Sequence, residues 1–251
     1  MSVYEHILKA LAKGKIHMTL IDPATSGPEG SADIAFEAYK AGTDFIMLGG
    51  STEISHEILD KTTDLMKKRI DLEIILFPGS SSMITKKADA IYFMSLLNSS
   101  DIEYIVGHQK KAAIYLSETN IEKIPMGYVI FKPGMTAGRV GKAMLIERDD
   151  IKTALQYALT AEFFGMKLVY FEAGSGADKP VSERIISMTK EKLGIPLIVG
   201  GGIRDPKSAE AIAKAGADII VTGTVAEKTS NVYDTLKPII SIIHNTRSEN
   251  E

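Results

Sequence analysis

The sequence contains no cysteine, and this absence removes several classes of chemistry. Disulfide bonds, thiolate zinc sites, iron–sulfur clusters and cysteine nucleophiles are all excluded. A chain without cysteine suits a reducing compartment, so we expect a cytoplasmic protein. No apolar run approaches the roughly 20 residues that a membrane-spanning helix requires. The N-terminus, MSVYEHILKALAKGK, has the pattern of an amphipathic helix and lacks the apolar core of a signal peptide.

An excess of charge of one sign is also lacking. The 29 Lys and Arg residues nearly balance the 32 Asp and Glu residues, and the formal net charge is −3. No basic cluster is dense enough to favour nucleic acid or an anionic membrane as a partner, and we expect no nucleic acid. With 251 residues, 45% of them apolar, the chain can bury a sizeable core, and we predict one domain over residues 1–251.

Eight short apolar runs alternate with longer segments of helical period. Runs such as MLGG and LVYFE are almost continuously apolar, which is typical of parallel strands buried on both faces. Eight such units in about 250 residues predict an α/β fold, specifically a (β/α)8 TIM barrel. The predicted strands are Ile16–Asp22, Phe45–Gly49, Glu73–Phe77, Ala90–Met94, Gly127–Phe131, Leu168–Glu172, Pro196–Val199 and Ile219–Thr222.

One connection departs from this alternation. Only residues 78–89 separate the third and fourth strands, which predicts an irregular, shortened third βα crossover. By contrast, residues 95–126 have room for two helices, and residues 132–148 predict an extended glycine-rich loop. The segments Lys40–Gly50 and Lys214–Thr224 form an internal repeat, KAGTDFIMLGG and KAGADIIVTGT, which favours a barrel or a doubly wound sheet.

Functional residues of such a barrel lie where strands end and loops begin. The seventh strand ends in VGGG and the eighth in TGT, and the loops after these two strands commonly bind phosphate in this fold. Glycines let backbone N–H groups approach a phosphate closely. Gly201, Gly202, Gly223 and Thr224 are therefore candidate phosphate ligands, with simple tight turns as the alternative.

Two other strand ends carry carboxylates. Glu172 ends the sixth strand in YFEAGSGA, where it is a candidate general base or a structural ion-pair partner. Tyr170 lies two residues earlier on the same face and either contacts the substrate or packs in the core. Asp22 ends the first strand and Ser51 follows the second. These two residues suit Mg²⁺, although Asp22 could equally cap a loop.

Six motifs together resemble the geranylgeranylglyceryl phosphate synthases of archaea and the related bacterial heptaprenylglyceryl phosphate synthases. They are HMTLIDP, LGGS, FPGSS, YFEAGSGA, VGGGIR and TGT, in the order of that family, and the resemblance covers residues 3–245. It implies a prenyltransferase that joins the C3 hydroxyl of sn-glycerol 1-phosphate to a polyprenyl diphosphate, expected to be geranylgeranyl diphosphate. Pyrophosphate would leave, and the first ether bond of archaeal phospholipid would form. The resemblance also implies a homo-oligomer, either a dimer or a hexamer, and the lipid product is compatible with transient contact with a membrane surface.

The resemblance assigns roles to individual residues. Asp22 and Ser51 would hold Mg²⁺, and Glu172 would accept the proton of the hydroxyl. The glycerol phosphate would be bound by Tyr170, Phe171, Glu172, Ala173, Gly174, Ser175, Gly176, Gly201, Gly202, Gly223 and Thr224. One departure is that the family commonly follows Asp-Pro with an acidic residue and Lys, whereas Ala24 and Thr25 stand here. We therefore expect no second carboxylate from this loop.

A C20 prenyl chain would need a long apolar groove. We predict that the shortened third crossover and the apolar segment 90–116 line it, with Ile91, Met94, Leu97 and Ile105 as candidates.

Two competing interpretations stay open at this point. A different phosphate-using barrel enzyme, such as an isomerase or lyase, often carries a catalytic Lys at a strand tip. No Lys stands at the tips of strands one, two, four, six, seven or eight, whereas Lys132 follows the fifth. A non-catalytic phosphate-binding module is the second alternative, and it would tolerate the loss of Asp22 and Glu172.

Overall fold

A computed structural model describes residues 1–50 and 54–246, and its eight strands form a closed parallel barrel. Each strand pairs with the next along the chain, and the last pairs with the first, which confirms the predicted (β/α)8 barrel. The strands are β1 Ile16–Ile21, β2 Phe45–Leu48, β3 Ile74–Leu76, β4 Ala90–Leu96, β5 Glu122–Ile130, β6 Leu168–Glu172, β7 Leu197–Gly200 and β8 Ile219–Thr222.

Helices surround the barrel, and one more closes its N-terminal end. They are α1 Val3–Leu11, α2 Pro23–Ala41, α3 His56–Lys67, α4 His108–Ser117, α5 Met135–Val140, α6 Ile151–Phe163, α7 Glu183–Lys190, α8 Pro206–Lys214, α9 Thr224–Glu227 and α10 Val232–Asn245. A π-helical segment, Glu103–Gly107, leads directly into α4. No helix within the two described ranges is long and apolar enough to cross a membrane.

The strand pattern divides the core into two layers. In β6, Leu168 and Tyr170 point into the barrel, whereas Val169 and Phe171 pack against the surrounding helices. This alternation follows from the two-residue period of a strand. Because both faces are buried, the strands needed to be apolar throughout, which is the pattern that identified them.

The connections differ in how well the sequence predicted them. Residues 77–89 contain turns and no helix, which confirms the shortened third crossover. The segment 95–126 contains one continuous helical stretch, because the π-helical segment runs into α4 without a break. The prediction of two separate helices there was wrong. The predicted loop 132–148 was also partly wrong, since it contains α5.

Carboxylates at the N-terminal rim join neighbouring strands. In three places the acidic residue that precedes one strand accepts a hydrogen bond from an amide N–H at the start of the preceding strand. Asp44 accepts from His17 (2.8 Å), Asp89 from Ile74 (2.8 Å) and Asp218 from Leu197 (2.7 Å). Asp44 and Asp218 occupy equivalent positions in the internal repeat. Each of the three also has a basic partner, namely His244, Lys67 and Lys190 respectively.

Candidate active site

Glu172 is the last residue of β6 and lies inside the C-terminal rim, with only 5% of its surface exposed. Its Oε1 accepts a hydrogen bond of 2.6 Å from the amide of Gly174. Burial raises the pKa of the Glu172 carboxyl to about 7, because desolvation outweighs the hydrogen bonds from Gly174, Tyr170 and Tyr128 that favour the charged form. A carboxyl with this pKa exchanges a proton near neutral pH, as a general base must.

Tyr128 is a site residue that the sequence analysis did not identify. It pairs with Tyr170 across β5 and β6, and the two rings make an edge-to-face contact with centroids 5.2 Å apart. Burial, followed by the charge of Glu172, raises the pKa of both phenols well above 10. Both hydroxyls therefore stay protonated and can donate to the carboxylate. In the sequence, Tyr128 has only the appearance of an aromatic core residue in a buried strand.

The glycines that follow β7 are required by close approach as well as by backbone angle. Gly201 has a φ of +80°, and a Cβ built on it would overlap the Glu172 carboxylate and lie 2.7 Å from the amide nitrogen of Gly174. A Cβ on Gly200 would overlap the Tyr170 hydroxyl. These glycines do make a tight turn, and they also leave the space that Glu172 and Tyr170 occupy.

A cavity opens beside Glu172. The loops after β6, β7 and β8 converge on it, and the Ser175 and Thr224 hydroxyls are linked across the rim at 2.7 Å. Backbone N–H groups of glycine loops at this rim suit a phosphate dianion. The predicted residues that line the cavity are Tyr170, Glu172, Ser175, Gly176, Gly201, Gly202, Gly223 and Thr224. Gly174 lies just behind it and binds the carboxylate of Glu172.

Arg204 also lines this cavity, and it was not among the predicted site residues. Its guanidinium donates to the carbonyls of Gly176 (2.6 Å) and Ala177 (2.7 Å), so it supports the loop after β6. The side chain also brings positive charge to a cavity suited to an anion. The signal in the sequence was its position directly after the VGGGI motif.

Two predicted substrate ligands have side chains that point away from the cavity. Phe171 is fully buried between the barrel and the helices, where its ring contacts Phe131 at a centroid distance of 4.9 Å. Ala173 belongs to the same outer cluster. The reason is that a strand that directs Tyr170 and Glu172 inward directs the residues between and after them outward. Substrate binding by Phe171 and Ala173 stays a prediction, and it would involve their backbone groups.

Asp22 lies at the C-terminal end of β1 and caps α2, so the alternative reading of a loop cap is also correct. Its Oδ1 accepts the amide of Ala24 at 2.9 Å. Its other oxygen receives no hydrogen bond from a described residue. The carboxylate also lies so close to Gly50 that a Cβ there would overlap it. Ser51, the other predicted metal ligand, lies outside the described residues.

The burial and neighbours of Asp22 determine what kind of magnesium site it could form. Burial raises the pKa of this carboxyl, and Asp22 forms no ion pair within the described ranges. In the same ranges, no group of three acidic, His or Cys residues surrounds a common point. One partly buried carboxylate, with one oxygen that no described residue binds, fits Mg²⁺ that takes its remaining ligands from phosphate and water. It does not fit a cage made of protein ligands alone.

An apolar groove runs from Gly50 to the helical stretch 103–117. It occupies the space where the third crossover lacks a helix, and Phe77, Tyr92 and Tyr128 lie in its wall. Of the four residues predicted to line it, Ile91 and Met94 do so. Leu97 packs against the outer core and Ile105 is not in the wall, so the prediction was wrong for these two.

The groove and the phosphate cavity meet at one point. Tyr128 belongs to the wall of the groove and Tyr170 to the wall of the cavity, and Glu172 lies against both. Phe77, in the groove, also contacts the Tyr170 ring at 5.6 Å between centroids. An apolar ligand and a phosphorylated ligand would therefore meet beside a carboxyl with a pKa near 7.

The model of the PcrB family matches residues 9–240 of this chain. The chain belongs to the PcrB family. The geranylgeranylglyceryl phosphate synthase of Thermoplasma volcanium is 59% identical over 250 residues, which are 100% of this chain and 99% of that protein. The enzyme of the same name from Picrophilus torridus is 58% identical over 243 residues, covering 97% of this chain and 100% of its own.

A solved structure agrees with this family assignment. The crystal structure of (S)-3-O-geranylgeranylglyceryl phosphate synthase from Thermoplasma acidophilum, in complex with its substrate sn-glycerol-1-phosphate, superposes with a TM-score of 0.96. The two chains are 58% identical, and the match covers 98% of this chain and 100% of that one. The similarity to these family members thus extends over almost the whole chain.

Proposed function

We propose that this protein joins the C3 hydroxyl of sn-glycerol 1-phosphate to geranylgeranyl diphosphate and releases pyrophosphate. The observation that carries the proposal is the meeting of a glycine-lined phosphate cavity and an apolar groove at Glu172. The solved relative from Thermoplasma acidophilum was crystallised with sn-glycerol-1-phosphate. Two substrates that differ so strongly in polarity match two cavities that differ in the same way.

Glu172 acts as the general base in this proposal. The glycerol hydroxyl oxygen forms the new bond to C1 of the prenyl group while its proton passes to the Glu172 carboxylate. The bond from C1 to the diphosphate oxygen breaks, and pyrophosphate leaves with the electron pair. Tyr128 and Tyr170 hold the carboxylate in place, and water is restricted because Glu172 is 95% buried. Activity should rise as the pH passes about 7, since only the ionised form accepts the proton.

We propose that the reaction depends on Mg²⁺ held by Asp22, with Ser51 as the second candidate ligand. When bound, the ion offsets the negative charge that the leaving diphosphate carries. Asp22 is suitable because it combines partial burial with a carboxylate oxygen beside Gly50 that accepts no hydrogen bond from residues 1–50 and 54–246. The diphosphate would then lie between this carboxylate and Glu172, with the prenyl chain directed into the groove.

The groove assignment has a direct test with a matched control. Met94 lies in the groove wall, and Met94→Trp should shorten the preferred prenyl donor by filling part of the space. Ile114 lies on α4 with 76% of its surface exposed, and Ile114→Trp should leave the preference unchanged. Comparing turnover of prenyl diphosphates of several lengths checks both expectations. An unchanged preference in Met94→Trp would place the prenyl chain elsewhere.

The alternative of an isomerase or lyase depends on Lys132 as its catalytic lysine, and the position of Lys132 does not support it. Lys132, the lysine that follows β5, pairs with Glu147 at the surface and does not line the phosphate cavity. An isomerase or lyase that needs a lysine at the strand tips therefore gains no support from it. A binding module without catalysis would have no use for a carboxyl whose pKa is raised to about 7 between two tyrosine hydroxyls.

The decisive experiment is a product assay. The protein is incubated with sn-glycerol 1-phosphate, Mg²⁺ and prenyl diphosphates of several lengths, and the extracted lipid is analysed by mass spectrometry. A phosphorylated ether lipid is expected, with geranylgeranyl diphosphate as the preferred donor. A parallel reaction with EDTA tests the dependence on Mg²⁺. The absence of product with every donor would refute the proposal.

Three further assignments accompany this function as proposals. A cytoplasmic location fits the absence of cysteine. A dimer or hexamer follows from the family resemblance and can be measured by light scattering. Transient contact with a membrane surface fits the lipid product, and Ile102 and Val106 are 72% and 51% exposed on the helical stretch that borders the groove. Sedimentation with anionic and neutral vesicles tests this contact.

A further inference from the structure

At the C-terminal end of β1, the backbone amide of Asp22 finds no acceptor in the backbone of β8. The Ile21 carbonyl accepts from Gly49 in the direction of β2, so the next residue, Asp22, directs its amide to the opposite side, where β8 lies. Register between these two strands ends at Thr19 and Thr222. Gly223 then turns out of the strand with φ −131° and ψ −74°. No backbone carbonyl of β8 therefore continues the ladder to Asp22.

Glu227 supplies the missing acceptor. Its Oε1 accepts the Asp22 amide at 3.0 Å, and it does so from the last residue of α9, a helix that begins at Thr224 in the phosphate cavity. Neither Glu227 nor Asp22 forms an ion pair within residues 1–50 and 54–246. The loop of Asp22 itself provides no second acid, since Ala24 and Thr25 follow Pro23. The second carboxylate beside Asp22 thus comes from the segment after β8, the neighbouring strand of the barrel.

We propose that Glu227 is a positioning residue that fixes Asp22, and with it the cation of the diphosphate, relative to the glycerol phosphate cavity. The inference rests on the proposed function for its ligands. Its structural basis is the short helix α9, which begins at Thr224 in the phosphate cavity and ends at Glu227. Glu227 accepts the backbone amide of Asp22, and Asp22 lies beside Gly50, which belongs to the wall of the apolar groove. Such partners of a metal ligand typically change metal affinity by about 10- to 100-fold when they are lost.

A pair of substitutions separates the hydrogen bond from the charge. Glu227→Gln keeps an acceptor oxygen at the same reach and removes the charge. Glu227→Asp keeps the charge and shortens the side chain by one methylene, so the carboxylate no longer reaches the Asp22 amide. If Glu227 acts by holding Asp22 in position, the Glu227→Gln protein should bind Mn²⁺ nearly as tightly as the wild type. The Glu227→Asp protein should bind it about 10-fold more weakly. Electron paramagnetic resonance of Mn²⁺ measures this affinity without turnover.

The other end of β1 offers the matched control. Asp44 accepts the amide of His17 at 2.8 Å, so Asp44→Ala removes the same type of contact from the same strand, far from the cavities. We expect this variant to unfold more easily and to bind Mn²⁺ as the wild type does. Calorimetric titration with sn-glycerol 1-phosphate should give the wild-type affinity for both Glu227 variants, because Ser175 independently anchors Thr224.

Each result decides the inference. Normal Mn²⁺ affinity in Glu227→Asp, equal weakening in Glu227→Gln and Glu227→Asp, or equal weakening in Asp44→Ala would overturn it. A wild-type protein that binds no Mn²⁺ would also overturn it. Failure of the proposed function appears differently, as wild-type protein that binds Mn²⁺ and makes no lipid.

Discussion

At the N-terminal rim of the barrel, Asp89 and Asp218 each accept a strand amide and also form an ion pair with a lysine. At the C-terminal rim, Asp22 and Glu172 also accept backbone amides, yet neither has a basic partner in the described part of the chain. The carboxylates of the two rims thus share one hydrogen-bonding role and differ in whether their charge is balanced.

The presence or absence of a basic partner distinguishes carboxylates with a structural role from carboxylates that are available to bind a ligand. A basic partner stabilises the ionised form of a carboxylate, and the pair then contributes to the stability of the fold. Burial without a cation raises the pKa of Asp22, Glu172 and Glu227, so these residues cost stability when ionised. Groups perturbed in this way concentrate at functional sites. The comparison predicts that substitutions at the C-terminal rim mainly reduce activity and that substitutions at the N-terminal rim mainly reduce stability.

The largest effect is expected for Glu172→Gln. Loss of the base should reduce kcat by about 10²- to 10⁴-fold, while the backbone loops still bind glycerol phosphate. Steady-state kinetics and calorimetric titration check the two parts. Asp89→Asn, at the opposite rim, is the control and should leave kcat unchanged. Retained turnover in Glu172→Gln would remove the base assignment.

A matched pair of glycines sharpens the comparison. Gly201 and Gly165 have φ values of +80° and +77°, so alanine strains the backbone equally at both positions. A Cβ on Gly165 meets no atom within 4 Å, whereas one on Gly201 overlaps the Glu172 carboxylate. Gly165→Ala should lose about 1–2 kcal/mol of stability, and Gly201→Ala should lose more, because its Cβ also meets the backbone of Gly174. Gly201→Ala should in addition lose about 10²-fold in kcat/KM, because a displacement near 1 Å at the base has that effect. Equal activity in the two variants would contradict this geometry.

The pH dependence of stability provides a third test. The pKa of Glu172 is about 7 in the folded protein and 4.5 as its ordinary value. The folded state therefore binds this proton more tightly, and its contribution to stability is complete below about pH 4.5 and is lost as the pH rises through about 7. Conversion at 1.36 kcal/mol per pKa unit gives a loss of about 3 kcal/mol.

Glu172→Gln lacks this titration and is the natural reference for it. Urea unfolding of both proteins between pH 5 and pH 8 should show the variant gaining stability relative to the wild type as the pH increases. A difference that stays constant across this range would mean that the carboxyl titrates at its ordinary pKa. The interior of the C-terminal rim would then be far more hydrated than its burial indicates.

The parts of the fold that depend on pattern were predictable from the sequence. Parallel strands that are buried on both faces are mainly apolar, and the fully predicted strands Leu168–Glu172 and Ile219–Thr222 are apolar up to the polar residue that ends each of them. The start of β5 is the counterexample. It begins at Glu122, five residues before the predicted strand, because its polar first residues pair with β4 outside the apolar pattern. Glycine motifs also located the phosphate cavity, since their spacing reflects the strand ends.

The parts that depend on three-dimensional convergence were not predictable. Tyr128 and Glu227 reach Glu172 and Asp22 from segments more than 40 and 200 residues away in the chain, and no local motif marks either one. Membership of a motif also does not reveal which face of the strand a side chain occupies, as the outward-facing ring of Phe171 shows. Strand alternation assigns that ring to the outer face once Glu172 is placed inside the barrel.

The smallest effect is expected at the N-terminal rim itself. Lys190 and Asp218 form an ion pair of 2.7 Å with about a quarter of each side chain exposed. Lys190→Met should cost up to about 1 kcal/mol of stability, because a partly hydrated pair gains little net energy. Asp218→Asn should cost somewhat more, since the amide of Leu197 then loses a charged acceptor. A double-mutant cycle by urea unfolding isolates the coupling between the two residues, and kcat/KM should equal the wild-type value in all three variants. A decrease in kcat/KM without a matching loss of folded protein would show that the two rims are coupled, and the separation of structural from functional carboxylates would no longer hold.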